Sequence, residues 1–435
     1  MTAPTSPGPT VVVGAGAVGL AVAESLASRG ADVTVLEADR PGAGASAGNA
    51  GWVTPSLAIP VPGPGVIGTS LRWLVNPSGP LWIRPTLSPE LLDWIARFTA
   101  SCSRSAYGRG LAALQRAAAT AGPAFDRLAE RGVEFEHDEQ PLLYTAFERS
   151  ELELLLRIAG ELRDAGAAQT LRQVSAGELR ELEPALGREL VGGVIAEGER
   201  RVRPELFTAG LRRALEARGA SVRQGAPVTT LARDNGGWLV HTPSTTLRAG
   251  SVVLAAGIAC RRLLAGLGVR LPIAAAKGYS RTYEPGPTAP RRALYLEGPK
   301  VAVSVFDGGV RVSGTLELGA TGLALSPRRL AAIADAAQRA MPGWRMPGRS
   351  RDWAGMRSLS PDGLPLIGPV PGLDGLYLAT GHATLGITLA PATGELLSKL
   401  LLDGERDPLL SAFDPARFAR RAPRANHQAT TGGSQ

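Results

Sequence analysis

Thr10-Val11-Val12-Val13-Gly14-Ala15-Gly16-Ala17-Val18-Gly19, running on through Leu20 to Arg29, Gly30 and Asp32-Val33-Thr34-Val35-Leu36-Glu37, is the stretch that decides the fold. Thr10 to Val13 reads as a short buried strand, Gly14 as a turn, the segment to about Arg29 as a helix closed by Gly30, and Asp32 to Glu37 as a second strand. A strand–helix–strand unit of this length is what a parallel crossover needs. Each glycine has a task in such a unit. Gly14 permits the tight turn, Gly16 lets a pyrophosphate approach the backbone, and Gly19 lets the helix pack against the strand. The helix N-terminus offers N–H groups and a positive dipole end to phosphate. Glu37, 23 residues after Gly14, ends the second strand and is placed to accept from a ribose 2′-OH; it would repel a 2′-phosphate, which argues against NADP. The motif predicts dinucleotide binding and does not by itself separate NAD from FAD.

Context is what gives the motif its force. With 54 glycines in 435 residues, a chance match to G-x-G-x-x-G is expected, and Gly63-Pro-Gly65-Val-Ile-Gly68 supplies one among prolines with no strand before it. Length predicts more than one domain. Hydrophobic residues at 44% and charged residues at 20% fit a folded globular chain and exclude collagen-like, disordered and coiled-coil classes. Two cysteines, Cys102 and Cys260, and four histidines exclude a disulfide framework and argue against a zinc site, so no metal is expected. The net charge is +8, and 44 of the 47 basic residues are arginine, since the lysines are Lys277, Lys300 and Lys399. The arginines are scattered beside acids rather than clustered, so no nucleic-acid partner is expected. No charged n-region precedes the apolar run Val11 to Ala27, and no run of ~18 apolar residues exists, so the expected location is cytoplasmic.

Farther along, a Gly/Ala/Ser loop at 41–51 follows the Glu37 strand, where ligands meet the edge of an open sheet; Ser46 and Asn49 are its hydrogen-bonding side chains. A Pro-rich stretch with Trp73, Trp82 and Trp94 follows. Residues 89–183 read as helical, with Ser175-Ala-Gly-Glu178 as a capping box. Pro204 to Arg218 reads as a helix, Val228–Arg233 and Trp238–Thr242 as a hairpin turning at Gly236-Gly237, and Ser251 to Ala255 as a buried strand ending at Ala256-Gly257. Residues 271–318 are strand-rich, and 326–341 form a helix. The last block is a strand at Leu376–Ala379, a glycine loop at 381–386 and a helix to about Leu402. Helix N-terminal amides beside that loop suit an electron-rich group.

Five further pieces, taken in order, resemble the FAD-dependent amine oxidoreductases of the D-amino-acid oxidase superfamily, and most of all the D-amino-acid dehydrogenases. They are Ser46 with Asn49-Ala50-Gly51, Lys277-Gly278-Tyr279-Ser280, Arg311-Val-Ser-Gly314-Thr-Leu-Glu317, Gly355-Met-Arg357 with Pro361-Asp362-Gly363, and Gly381-His382-Ala-Thr384-Leu385-Gly386. The likeness covers about residues 10–415. It implies an α/β fold: a Rossmann-like FAD-binding domain (10–100, 191–265 and 352–415) with an interleaved α+β substrate domain (101–190 and 266–351) built on a mostly antiparallel sheet. A disordered leader (1–9) and a mobile basic tail (416–435) complete the chain.

The same likeness implies non-covalent FAD. Its expected contacts are Gly14, Gly16, Gly19, Glu37, Ser46, Asn49, Ala50, Gly51, Val228, Ala256, Gly257, Gly381, His382, Thr384, Leu385, Gly386, Ile387 and Thr388. Arg357 matches the family's carboxylate-gripping arginine, a task for a planar guanidinium rather than an ammonium. Tyr279 and His382 are the other candidate catalytic residues, and Lys277 is a further candidate. The implied reaction moves a hydride from the substrate Cα to flavin N5, giving an imine and then a 2-oxo acid, and requires no protein base. Relatives that react with oxygen carry a lysine near Thr384-Leu385; its absence favours a dehydrogenase passing electrons to a quinone or carrier rather than an oxidase. A quinone acceptor would bring the chain to the inner face of a membrane, with the stretch 60–95 as the contact; packing over the flavin domain is the other reading of those aromatics. Two alternative functions stay open. One is a biosynthetic oxidase of a modified amino acid or of a secondary amine of the glycine, sarcosine or D-proline type. The other is an inactive dinucleotide-binding regulatory subunit.

Overall fold

Thr10–Val13 is buried along its whole length, as a strand covered on both faces must be. In the computed structural model, which describes residues 8–68, 79–84 and 88–419, this strand lies inside a six-stranded sheet. The order is Ser221–Arg223, Val33–Leu36, Thr10–Val13, Ser251–Leu254, Leu376–Thr380 and Leu366–Pro369. The first five run parallel and the last is antiparallel to its neighbour. Helices Ala17–Ala27 and Ala390–Asp403 pack against Val12, Val35 and Val253 on one face. On the other, Val11, Val13 and Leu36 meet the three-stranded sheet Thr230–Asp234, Gly237–His241 and Thr246–Ala249. Glu24, the one charge in the first helix, is fully buried there; Arg131 reaches it through two bonds of 2.9 and 3.1 Å, the pairing a buried carboxylate requires.

A second, larger sheet has the order Ser350–Leu359, Ala274–Tyr283, Gly309–Leu318, Val301–Phe306, Leu294–Leu296, Leu142–Ala146, Gly192–Ala196 and Leu171–Ser175, with Leu81–Ile83 alongside Gly309–Leu318. Two of its pairings are parallel, Leu294–Leu296 with Leu142–Ala146 and Leu81–Ile83 with Gly309–Leu318; the others are antiparallel. Helix Pro327–Ala340 buries Leu330, Ile333 and Ala337 against one face. Trp52–Val53, Arg200–Val202 and His137–Glu139 make a small sheet of their own.

Several sequence expectations change here. Residues 89–183 are not helical throughout: His137–Glu139, Leu142–Ala146 and Leu171–Ser175 are strands between the helices. Leu142–Ala146 is buried on both faces, so it lacks the alternation that marks a strand. Ser175 does cap its helix by accepting from the Glu178 N–H at 3.2 Å, but the Glu178 carboxylate pairs with Arg172 at 2.7 Å instead of closing the box. Strand Ser350–Leu359 crosses the boundary drawn at 352, while Gly192–Ala196 and Leu81–Ile83 lie within 191–265 and 10–100. All three hydrogen-bond into the large sheet, and pairing outweighs position along the chain.

The tail is docked at its start. Arg417 grips Asp362 at 2.7 and 3.2 Å, a two-bond pairing that holds residues drawn as mobile. At the other end the Pro9 carbonyl accepts from Gly250 N–H at 2.9 Å. Residues 1–7 of the expected leader, Trp73 and the tail beyond 419 lie outside the described residues. Trp94 is buried, with its indole N–H donating to the Leu359 carbonyl at 3.0 Å, so it belongs to packing rather than to an exposed surface.

Candidate functional site

Parallel strands deliver their following loops to one edge, and that edge assembles most of the expected cofactor positions. Gly14 follows Thr10–Val13 with φ +105°, and a Cβ there would lie 2.7 Å from the Ala255 carbonyl. Ala256-Gly257 therefore abuts the Gly14 turn. Gly257 is tied in turn to the Gly381 loop, its carbonyl accepting from Thr380 Oγ1 at 3.0 Å. Glu37 reaches across the same edge, where one oxygen accepts from Ala15 N–H at 2.7 Å and the other from Asp39 N–H at 3.1 Å. The Ala226 N–H bonds the Glu37 carbonyl at 2.8 Å, which brings Val228 close. The Val228 carbonyl is taken by Arg262 at 3.0 Å.

The first helix starts at Ala17 with Gly16 as its cap and no side-chain cap from that residue. Its Ala17 N–H is met by Ser46 Oγ at 3.0 Å, which puts the 41–51 loop directly over the helix N-terminus. A Cβ on Gly16 would meet nothing closer than that Ser46 oxygen at 3.5 Å. The turn thus leaves open space where backbone N–H groups converge, and the donor set suits a pyrophosphate. Asn49 serves its own loop: Oδ1 accepts from Gly51 N–H at 2.8 Å. Thr388 Oγ1 donates to the Trp52 carbonyl at 3.0 Å, joining the last loop to the 49–53 segment.

The large sheet turns one face toward this loop. Arg311 Nη1 donates to the Asn49 carbonyl at 2.7 Å, Ser304 Oγ to the Ala50 carbonyl at 2.7 Å, and the Trp353 ring packs against Gly48. Arg311 itself is buried and held by Glu205 and Thr282. Arg357 lies on this face. It stands opposite Ala276, and its guanidinium covers Gly278, where a Cβ would come within 2.2 Å of Nη1. Only glycine leaves room for the guanidinium to lie flat on the strand. Arg357 donates to the Thr315 carbonyl at 3.1 Å and makes no ion pair among the described residues. An edge of the side chain meets solvent, yet crowding by protein atoms pushes its pKa down to about 10, which leaves it charged at neutral pH. A guanidinium with no ion pair among the described residues, on the face that meets the 48–51 segment, suits an anion.

The other two candidate catalytic residues do not share that site. Side chains alternate along Ala274–Tyr283, so Tyr279 points to the face opposite Gly278 and Arg357. There its hydroxyl donates to Glu317 at 2.7 Å, and burial with that carboxylate raises its pKa. Lys277 is on the same far face, 3.6 Å from Glu317. His382 is buried, with Nε2 3.1 Å from Thr393 Oγ1 on helix Ala390–Asp403. Burial pushes its pKa down to about 4, so the ring is neutral at pH 7 and anchors the loop. Leu385, Ile387 and Thr388 are buried, Gly381 is held by Ser358 Oγ at 3.2 Å, and Thr384 is exposed. No cluster of three or more metal-ligating side chains occurs among the described residues.

One buried group beside the 49–57 segment was not visible in the sequence pattern. Glu199 accepts from Ser56 N–H at 3.0 Å, while Ser56 Oγ and Tyr144 OH lie 2.6 Å apart. Loss of hydration raises the Glu199 pKa to about 8, against the opposing Ser56 bonds. The folded state therefore holds a proton that the unfolded chain releases above pH ~4.5. Stability from this group is full below ~4.5 and is lost as pH rises through about 8, at up to ~1.4 kcal/mol per pH unit. His382 has the opposite sign: its folded pKa lies below 6.5, so its contribution is present above 6.5 and fades as pH falls through about 4. Glu199→Gln should flatten the alkaline limb of a urea-midpoint-versus-pH curve and leave the acid limb in place. An unchanged alkaline limb would refute the assignment.

Residues 10–400 match the model of the FAD dependent oxidoreductase family named DAO. The D-amino acid dehydrogenase of Xanthobacter autotrophicus is 33% identical over 428 residues, 95% of this chain and 99% of that protein. The D-amino acid dehydrogenase of Methylobacterium nodulans is 35% identical over 424 residues, with the same coverage. Among solved structures, glycine oxidase from Geobacillus kaustophilus superposes with a TM-score of 0.75 at 24% identity, covering 95% of this chain and 99% of that one. L-proline dehydrogenase from P. horikoshii superposes at 0.70 and 20% identity, covering 94% and 97%. These likenesses establish the shared fold.

Proposed function

Because the chain belongs to the FAD-dependent oxidoreductase family, we propose that it oxidises the Cα–N bond of a D-amino acid, giving an imine that water converts to a 2-oxo acid and ammonia. The observation that carries this reading is Arg357, a guanidinium without an ion pair among the described residues, on the sheet face that meets the cofactor loops. FAD fits the open Gly14–Gly19 turn, and Gly14, Gly16, Gly19, Glu37, Ser46, Asn49–Gly51, Val228, Ala256, Gly257, Gly381, His382 and Thr384–Thr388 would hold it non-covalently. When bound, FAD supplies the hydride acceptor. Arg357 fixes the substrate by its carboxylate, so that the Cα hydrogen is presented in one orientation. Arg311 and Ser304 keep the 49–51 segment in register with the large sheet. No side chain on this face need take a proton if the amine arrives neutral. Cys260 is buried with its thiol pKa pushed up to about 12, in keeping with a cofactor not attached there. In this reading the six-stranded sheet is the core of the FAD-binding domain and the large sheet that of the substrate domain.

Buried, apolar Leu385 places no cation at the last loop to favour reaction with oxygen. We read the enzyme as a dehydrogenase that passes electrons to a carrier or quinone in the cytoplasm. A quinone would require contact with a membrane surface; among the described residues no helix is long and apolar enough to cross a membrane. The experiment is anaerobic: D-alanine, D-proline, glycine, sarcosine and L-amino acids are added separately to the yellow protein. Bleaching by a D-amino acid is the expected result. Bleaching by none of these amines would overturn the proposal, and bleaching by glycine or sarcosine alone would reassign the substrate.

A further inference from the structure

Trp353 stands two residues before Gly355 and four before Arg357 on strand Ser350–Leu359, so the two-residue period puts all three on one face. Gly355 is the cross-strand partner of Gly278. Both glycines are buried, and each is covered by a flat group. The Arg357 guanidinium lies over Gly278, as described above. The Trp353 indole lies over Gly355, where a Cβ would come within 2.1 Å of Cη2 and Cζ2. Paired residues of antiparallel strands stand about 4.5–5.5 Å apart, so the indole and the guanidinium are immediate neighbours. Atoms nearer the ring fusion reach the cofactor-side loop: a Cβ on Gly48 would lie 2.1 Å from Cδ2 and Cε3. Gly48, Gly278 and Gly355 thus clear the space that one guanidinium and one indole occupy side by side.

Arg357 has different surroundings in the two directions along its strand. Toward the strand end, Leu359 and Ala276, the cross-strand partner of Arg357, share a buried cluster with Leu91 and Trp94 of helix Pro89–Ser101. The face is closed there. In the other direction Trp353 is only half-buried, as Arg357 is. A molecule whose carboxylate sits on the guanidinium therefore meets the indole with the atoms nearest that carboxylate. We propose that Trp353 is a specificity-determining residue, the wall that limits bulk on the carbon bearing the carboxylate and so selects D-amino acids with small, unbranched side chains. The proposal rests on the reading of Arg357 as the carboxylate anchor. An indole turns about only two side-chain bonds, and this one is packed against both Gly355 and Gly48, so it does not fold aside for a larger group as an aliphatic chain would.

The test reads binding rather than turnover. Acetate and pivalate present the same carboxylate, the second with a tert-butyl group in place of a methyl group. Each is titrated into the flavin-loaded protein and followed by calorimetry and by the flavin absorbance. Trp353→Ala should raise the affinity for pivalate relative to acetate at least tenfold over wild type, and Trp353→Phe, which keeps a packing ring but lacks the outer edge of the indole, about threefold. Trp353→Phe decides the matter if Trp353→Ala does not fold. An unchanged ratio, or equal changes for both carboxylates, would mean that the indole only packs, and overturns the proposal. Arg357→Ala separates this outcome from failure of the anchor: acetate binding that is absent from the wild type, or undiminished in Arg357→Ala, removes the anchor and the wall with it. A shifted ratio upholds the wall whichever amine proves to be oxidised.

Discussion

Arg357→Ala should leave the protein yellow and folded while raising the D-amino acid concentration needed for half-bleaching by a hundredfold or more. Losing one partner of a charged, partly desolvated pair costs about 2–5 kcal/mol, and each 1.4 kcal/mol is about tenfold in affinity. Flavin content should not follow, because Arg357 bonds the Thr315 carbonyl and stacks on Gly278 rather than touching the Gly14–Gly19 turn. Arg357→Lys discriminates charge from shape. An ammonium keeps the charge but cannot offer two parallel N–H groups, so it should recover part of the affinity and remain roughly tenfold or more defective. The measurement is an anaerobic spectral titration of each variant. Wild-type half-bleaching concentrations in Arg357→Ala would remove this residue from the substrate site.

Gly19→Val should yield an unstable protein that purifies colourless. A Cβ at Gly19 would sit 1.9 Å from the Gly14 carbonyl oxygen and 3.2 Å from the Ala255 side chain. The first contact is backbone and cannot rotate away, so helix Ala17–Ala27 must be pushed off the sheet. Overpacking of this kind costs about 1–3 kcal/mol or more, and the shift opens the turn proposed to receive the pyrophosphate. Gly160→Ala is the matched control. It lies within helix Arg149–Asp164 with nothing inside 4 Å of its Cβ position, so it should be neutral or stabilising by under about 1 kcal/mol. Thermal melts with and without added FAD, together with bound-flavin absorbance, check both. Full flavin occupancy in Gly19→Val would refute this role for the turn.

Local chemistry explains what could be read from the chain. Thr10–Val13, Gly14, Gly19 and Glu37 follow one another within a single crossover, so spacing alone places them. The glycine loops at 41–51 and 381–386 were equally legible because each follows a strand of the parallel sheet. The large sheet was harder. Leu142–Ala146, Gly192–Ala196 and Ser350–Leu359 come from distant parts of the chain, and their partners are set by hydrogen bonding across long separations that no window of sequence contains.

Arg357 shows the division most clearly. The residues around it mark it out from 43 other arginines, but its bed on Gly278, with no ion pair among the described residues, exists only once two strands are paired. Tyr279 and Lys277, neighbours of Gly278 in sequence, are sent to the opposite face by the two-residue period of the strand. The sequence determined by itself the Gly14–Gly19 turn and its acidic partner, because these lie within one crossover, and the family, because its motifs follow one another in order along the chain. Tertiary structure decided which polar side chains share a face and that Glu199 is buried beside Ser56, because burial and pairing depend on what distant segments bring.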